Sequence, residues 1–148
     1  MKVLLCCVII LLSATTTHCS ELTDVIGFWK TAGDSSKLEI YPCGDKLCGK
    51  VAWLKNPNYV NSKDGPIDTP KIDRKNPDPS LRHRPILGLQ VIEGLTAMAD
   101  NQWGHGICYD PESGNTYKCK MQMKSPDHLE MRGYVGIPLF GRTYVLTR

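Results

Sequence analysis

A chain of 148 residues with 41% apolar and 22% charged residues is long enough for one domain around one core. Its net charge of +3 is too mild for the overall field to mark a nucleic-acid binder or a protein drawn to an anionic membrane. Lys2 and the uncharged apolar run from Val3 to Leu12, followed by Ser13 to Thr17, read as a signal peptide over residues 1–19. The run is too short to span a bilayer. Lipid modification at Cys19 is the weaker reading, because His18 precedes it. Of the seven cysteines four remain after residue 19: Cys43, Cys48, Cys108 and Cys119. An even number in an exported chain points to disulfides in an oxidising compartment, in the periplasm or outside the cell.

Residues 20–148 form the expected domain, and its hydrophobic period is two. Residues 37–41 set Leu38 and Ile40 against Lys37 and Glu39. Residues 116–124 set Tyr117, Cys119, Met121 and Met123 against Lys118, Lys120, Gln122 and Lys124. Residues 129–135 set Leu129, Met131 and Val135 against Glu130 and Arg132, and residues 143–148 align Tyr144, Leu146 and Arg148. Half-buried strands read this way. Turn formers separate them: four-residue loops at 44–47 and 125–128, a turn at Asp100-Asn101, and the run 110–115. About eight short strands result, which fits an antiparallel barrel or sandwich. Residues 55–85 break the rhythm with six prolines. They form a long loop across one end, with a short helical turn near Pro79–Arg82.

Each cysteine pair lies across a hairpin, which predicts Cys43–Cys48 and Cys108–Cys119 bridges. The spacings do not suit a zinc site, so the reading includes no metal and no cofactor. Trp29, in Gly27-Phe28-Trp29, and Arg148 stand at opposite ends of the domain. They meet only if the sheet closes on itself, with the guanidinium over the indole. That arrangement resembles the lipocalin and wider calycin barrels.

Longer blocks carry a closer resemblance. They are Gly27-Phe28-Trp29-Lys30-Thr31, the stretch from Cys43 to Val51, the stretch from Asn76 to Arg82, Pro85-Ile86-Leu87-Gly88, the stretch from Tyr109 to Tyr117, and the stretch from Gly133 to Thr143. Together these resemble the bacterial exported family called domain of unknown function 2147. The resemblance implies a lipocalin-like barrel, a secreted or periplasmic place, and no established activity. One departure is Val145-Leu146, which stands where the family carries a Trp before the terminal Thr-Arg.

No nucleophile elbow, phosphate loop or dinucleotide fingerprint is present, and the reading favours a protein that is not an enzyme. His83, His105 and His128 read as surface residues, and Asp73 and Asp78 as partners of nearby cations. Arg82, Arg84 and Arg142 are the candidates to clamp a carboxylate or phosphate at the barrel mouth. The competing role for Arg82 is to fasten the loop through Asp73 or Asp78. Trp53, Trp103 and Tyr134 are the candidate aromatic lining. The expectation is an all-β, eight-stranded antiparallel calycin-like barrel binding a small, partly apolar ligand in or at its mouth. The alternative is a barrel filled by its own side chains, among them Met121, Met123 and Met131, that serves as an interaction module for the cell envelope or a host surface. A protein partner stays open, as does the oligomeric state, whereas nucleic acid and stable membrane insertion are not expected.

Overall fold

The computed structural model describes residues 24–148; the expected signal peptide, residues 1–19, lies outside them. Eight strands follow in chain order: β1 Gly27–Lys30, β2 Ser36–Cys43, β3 Lys46–Leu54, β4 Gln90–Ala99, β5 Gln102–Asp110, β6 Asn115–Ser125, β7 His128–Tyr134 and β8 Gly141–Thr147. Each pairs antiparallel with the next, and β8 returns to β1 to close the barrel. The connections therefore alternate between two ends. One end carries the short turns at 44–45, 100–101 and 126–127. The other carries the segments 31–35, 55–89, 111–114 and 135–140.

Period-two alternation puts one side of each strand inside. Leu38, Ile40, Cys119, Met121, Leu129 and Leu146 are buried as the pattern requires. Trp29, Val51, Ile92, Leu95, Trp103 and Cys108 join them in one cluster. Each fully buried aliphatic or aromatic side chain here stabilises by about 1.5–3 kcal/mol. The cluster occupies the middle of the barrel and its short-turn end. Val135 departs from the expected alternation: β7 stops at Tyr134, and Val135 is 66% exposed in the following loop.

Closure depends on few contacts. The β1–β8 ladder consists of the single pair Lys30↔Thr147. Arg148 completes the seam. Its guanidinium lies 4.1 Å from the Trp29 ring centroid, and Nη2 donates to the carbonyls of Asp24 at 2.6 Å and Ile26 at 2.8 Å. Trp29, wholly buried, donates from Nε1 to the Val25 carbonyl at 2.8 Å. First strand, last residue and indole thus form one plug at the short-turn end.

The hairpins are tighter than the sequence reading expects. Cys43 pairs with Lys46 and Ser125 with His128, so the connections at 44–45 and 126–127 are two residues long rather than four. Cys48 stands opposite Tyr41, diagonal to Cys43. The Cys43–Cys48 bridge forms across that diagonal with a Cα separation of 5.8 Å, beside a turn where a two-stranded ribbon is most twisted. The same slip moves the second pair. Asp110 pairs with Asn115 and Cys108 with Tyr117, while Cys119 faces Gly106. Asp110 fixes this register by accepting from Glu112 N and Ser113 Oγ, and its carbonyl accepts from Gly114 N. The expected Cys108–Cys119 bridge is therefore not formed. Both are free, buried thiols on a diagonal well away from their turn, where Cα atoms stand further apart than in direct opposition. The Cys119 thiol, acting as donor, holds the Cys108 pKa below the usual thiol range, and that interaction together with burial pushes Cys119 up.

Replacing Arg148 by Ala removes the stacked cation and three charge-assisted bonds, to Asp24, Ile26 and, longer, Pro126, and is expected to lower stability by about 2 kcal/mol. Arg148→Lys keeps the charge without the planar fork and recovers only part. Equilibrium urea unfolding of the three proteins measures this; indistinguishable midpoints would remove Arg148 from the seam.

Candidate functional site

The long-loop end of the barrel holds the candidate site, and two structures shape it. The first is the segment 55–89, which carries its own order. Asn58 bridges to Pro70 and Ile72 to Pro85. Tyr59 is buried, accepting from Ile72 N at 3.1 Å and donating to Ile72 O at 3.3 Å. A 3-10 turn, Pro79–Leu81, is capped by Asp78, whose carboxylate accepts from Ser80 N and Ser80 Oγ. Those two bonds hold the Asp78 pKa below the usual carboxylate range.

Asp73 ties this segment to the barrel. It is wholly buried and needs partners for both oxygens. Arg84 Nη2 reaches Oδ2 at 2.9 Å, Asn76 Nδ2 reaches the same oxygen at 2.8 Å, and the Tyr109 hydroxyl on β5 donates to Oδ1. Arg84 Nε is buried without a partner among the described residues. Arg82 donates from Nε to the Asn76 carbonyl at 2.7 Å. Gly114 completes the tie: its φ is +77°, and a Cβ there would collide with the Lys75 carbonyl. Arg82 and Arg84 are therefore fastenings of the loop, and neither lines the pocket described below. The pairing expected of Arg82 falls instead to Arg84, which is the cation that reaches the buried acid.

The second structure is a pocket of about 470 Å³ between the 111–114 turn and the 135–140 loop. Its inner wall is made by Tyr117, Gly133 and Tyr144, which hold inward positions on β6, β7 and β8. Tyr134, Val135 and Phe140 form the loop side, and Asp110 and Ser113 the opposite rim. Arg142 faces Gly133 across the β7–β8 ladder and lines the pocket. Among the described residues it has no ion pair, and no side-chain hydrogen bond holds it. Gly133 makes the space: a Cβ there would stand 3.3 Å from Cys108 Sγ and 3.5 Å from Tyr117 Cβ. The arrangement offers a single free cation above an aromatic wall, which is a site for an anion with an apolar body.

Of the residues expected to contact a ligand, Arg142 and Tyr134 come together here. Trp53 does not: it is 42% exposed on the outside of β3 beneath the Lys37 ammonium. Trp103 does not either, because it is buried in the central cluster, and its indole N–H has no partner among the described residues. That costs about 1–3 kcal/mol, which packing must offset. Tyr117, Tyr144 and Phe140 were not expected at the site. The period-two pattern does place Tyr117 and Tyr144 inside; what it lacks is the end of the barrel at which they emerge. Among the described residues no group of three or more His, Cys, Asp or Glu is placed to hold a metal.

A closed eight-stranded antiparallel barrel, plugged at one end by Trp and Arg and open at the other, defines a lipocalin-like protein. Protein HP1028 from Helicobacter pylori, whose structure is described as belonging to the lipocalin family, superposes with a TM-score of 0.69. The match has 23% identity and covers 83% of this chain and 81% of that one. At that identity the likeness establishes the fold. The family described as an uncharacterized protein conserved in bacteria (DUF2147) matches residues 27–148, and the chain belongs to it. No functionally curated protein matches.

Asp73→Ala strands Arg84 and Tyr109 without their acceptor and is expected to cost about 3 kcal/mol. It should also release the segment 55–89, so that limited trypsin digestion cuts there at least about tenfold faster. Equal cleavage of variant and parent would dissociate Asp73 from loop order.

Burial and the Asp73 carboxylate push the Tyr109 phenol up to about 12. A raised native pKa means the native state holds that proton more tightly. The stabilisation is complete below the unfolded phenol value of about 10 and is lost as pH rises toward 12. Ultraviolet titration should show one late-ionising phenol that disappears in Tyr109→Phe.

Proposed function

We propose that the protein binds a small, partly apolar molecule carrying an acidic group, at the open end of the barrel. One observation carries this reading: Arg142, which has no partner among the described residues, stands over a pocket walled by Tyr117, Tyr144 and Phe140. A volume of about 470 Å³ lies within the range of ordinary small-molecule sites. The ligand sits at the mouth rather than deep inside, because Trp29, Met121, Leu129 and Leu146 occupy the opposite half. The family and the fold support binding by analogy, and the residues of the pocket supply the chemistry. The Cys43–Cys48 bridge and the apolar leader together support a place outside the cytoplasm, in the periplasm or beyond it.

A carboxylate in contact with Arg142 gains a charge-assisted bond of about 1.5–3 kcal/mol, equivalent to roughly tenfold to a hundredfold in affinity. Titration calorimetry with a series of amphiphilic carboxylates, and with alcohols of matching carbon skeleton, tests the assignment. Arg142→Gln is expected to weaken the acids at least about tenfold and leave the alcohols unchanged. Parent protein that binds acid and alcohol alike, or neither series, would overturn it.

A further inference from the structure

We propose that the 135–140 loop is a docking tip, with which the protein rests reversibly on the anionic surface of a lipid bilayer. The loop reads Val135-Gly136-Ile137-Pro138-Leu139-Phe140 and contains no polar side chain. Val135, Ile137, Leu139 and Phe140 are 66%, 54%, 75% and 71% exposed. Single apolar residues on a surface are ordinary. Four consecutive large ones with only Gly and Pro between them make a contiguous patch, and such patches mark contact sites.

The manner in which the loop is held distinguishes it from an unpacked turn. Arg132 donates from Nε to the Pro138 carbonyl at 2.7 Å and from Nη2 to the Leu139 carbonyl at 3.2 Å. Its Nη1 is fixed on Thr143 Oγ1 at 2.7 Å. Phe140 N donates to the Ile137 carbonyl at 3.1 Å. Backbone ties therefore set the shape of the loop and leave its side chains exposed, Val135 and Phe140 at the edge of the pocket and Ile137 and Leu139 away from it. In an apolar medium the carbonyls of a turn have no water to bond. Here the guanidinium already caps two of them, which is the preparation such a loop needs before it leaves water.

The charges nearby match an anionic surface. Lys118 and Lys120 stand exposed on the outer face of β6, beside Tyr134 and Arg132 of β7, and neither makes an ion pair among the described residues. Arg142 adds a fourth cation where the loop enters β8. The acid of β7, Glu130, is engaged by Lys124 further toward the short-turn end, and Asp110 is bound within its own turn. Glu112 and Asp34 are the exposed acids on the neighbouring segments. A net charge of +3 over the whole chain conceals this local collar. Apolar insertion and basic attraction together give reversible binding at an interface. The patch is a convex tip and not a groove, a shape that a fluid bilayer accepts without a matching partner surface. Docked this way, the pocket beside the loop opens against the membrane; the docking itself requires no occupant in the pocket.

Co-sedimentation with vesicles of phosphatidylglycerol and phosphatidylethanolamine in equal parts tests this, with phosphatidylcholine vesicles as the uncharged comparison. The parent protein is expected to partition at least about tenfold more strongly into the anionic vesicles, and to be released by salt. The paired change Ile137→Asp and Leu139→Asp alters exposed positions outside the pocket. It should abolish binding while circular dichroism and thermal unfolding stay as in the parent. Lys118→Gln with Lys120→Gln should reduce the preference for anionic vesicles several-fold. As a second readout, the reporter Leu139→Trp should shift its fluorescence to the blue on adding vesicles. Parent protein that stays in solution, or loop variants that sediment as the parent does, overturns the proposal. So does lipid-free self-association that the loop variant loses, since the tip would then be an interface between copies of the chain.

Discussion

The barrel depends on one seam. Seven of its eight strand junctions are hairpin or loop-linked neighbours, which chain connectivity brings together. The eighth joins β1 to β8 with a single cross-strand pair, Lys30↔Thr147. A ladder that short cannot hold two sheet edges together, and open edges invite other pairings. Arg148 supplies what the ladder lacks. It bonds the carbonyls of Asp24 and Ile26 on one side and covers the buried Trp29 ring on the other. The planar guanidinium suits both tasks at once, donating in its plane and stacking through its face.

That seam also polarises the interior. Trp29, Val25, Leu129 and Leu146 are packed beneath it, so the short-turn end is solid. Toward the longer connections the inward positions are held by Tyr117, Gly133, Arg142 and Tyr144, and a pocket lies between them. The segment 55–89 covers part of this end and is tied there by Asp73 and the Gly114–Lys75 approach. The 135–140 loop leaves the other side uncovered. Pocket and apolar tip are thus neighbours because one barrel has its closed end elsewhere.

Much of this was legible in the residues. The alternation in 116–124 places Cys119 and Met121 inside, proline's fit to a first helical turn marks Pro79, and Gly27-Phe28-Trp29 with Arg148 marks the seam. The misreadings have a common cause in turn length. Taking Cys43 and Cys48 as directly opposed inserts two residues too many into their hairpin, and the same reasoning pairs Cys108 with Cys119. Gly44, at a φ of +71°, permits the tighter turn, and the Asp110 side chain closes the other hairpin one step early. That a loop arginine needs an acid was legible, but the reading gave that role to Arg82. That Asp73 would be the buried one depends on Tyr109, 36 residues further on, and no local pattern encodes such a distance. Trp53 has a ring suited to a ligand wall; the register shift between Lys37 and Leu38, opposite it, turns it to water. The two cysteine pairs end on opposite faces of the sheet, the bridged one outside and the free one within, a distinction that spacing does not carry.

The seam has a consequence for how the molecule is made. Its decisive contacts join atoms more than a hundred positions apart, Asp24 to Arg148, and the entropy of closing so large a ring must be met before the ring is stabilised. Before β8 reaches β1, the sheet is a curled ribbon with both margins bare. Closing the ring is therefore the step that hides both edges, and a molecule that has not yet closed is open to pairing with its siblings.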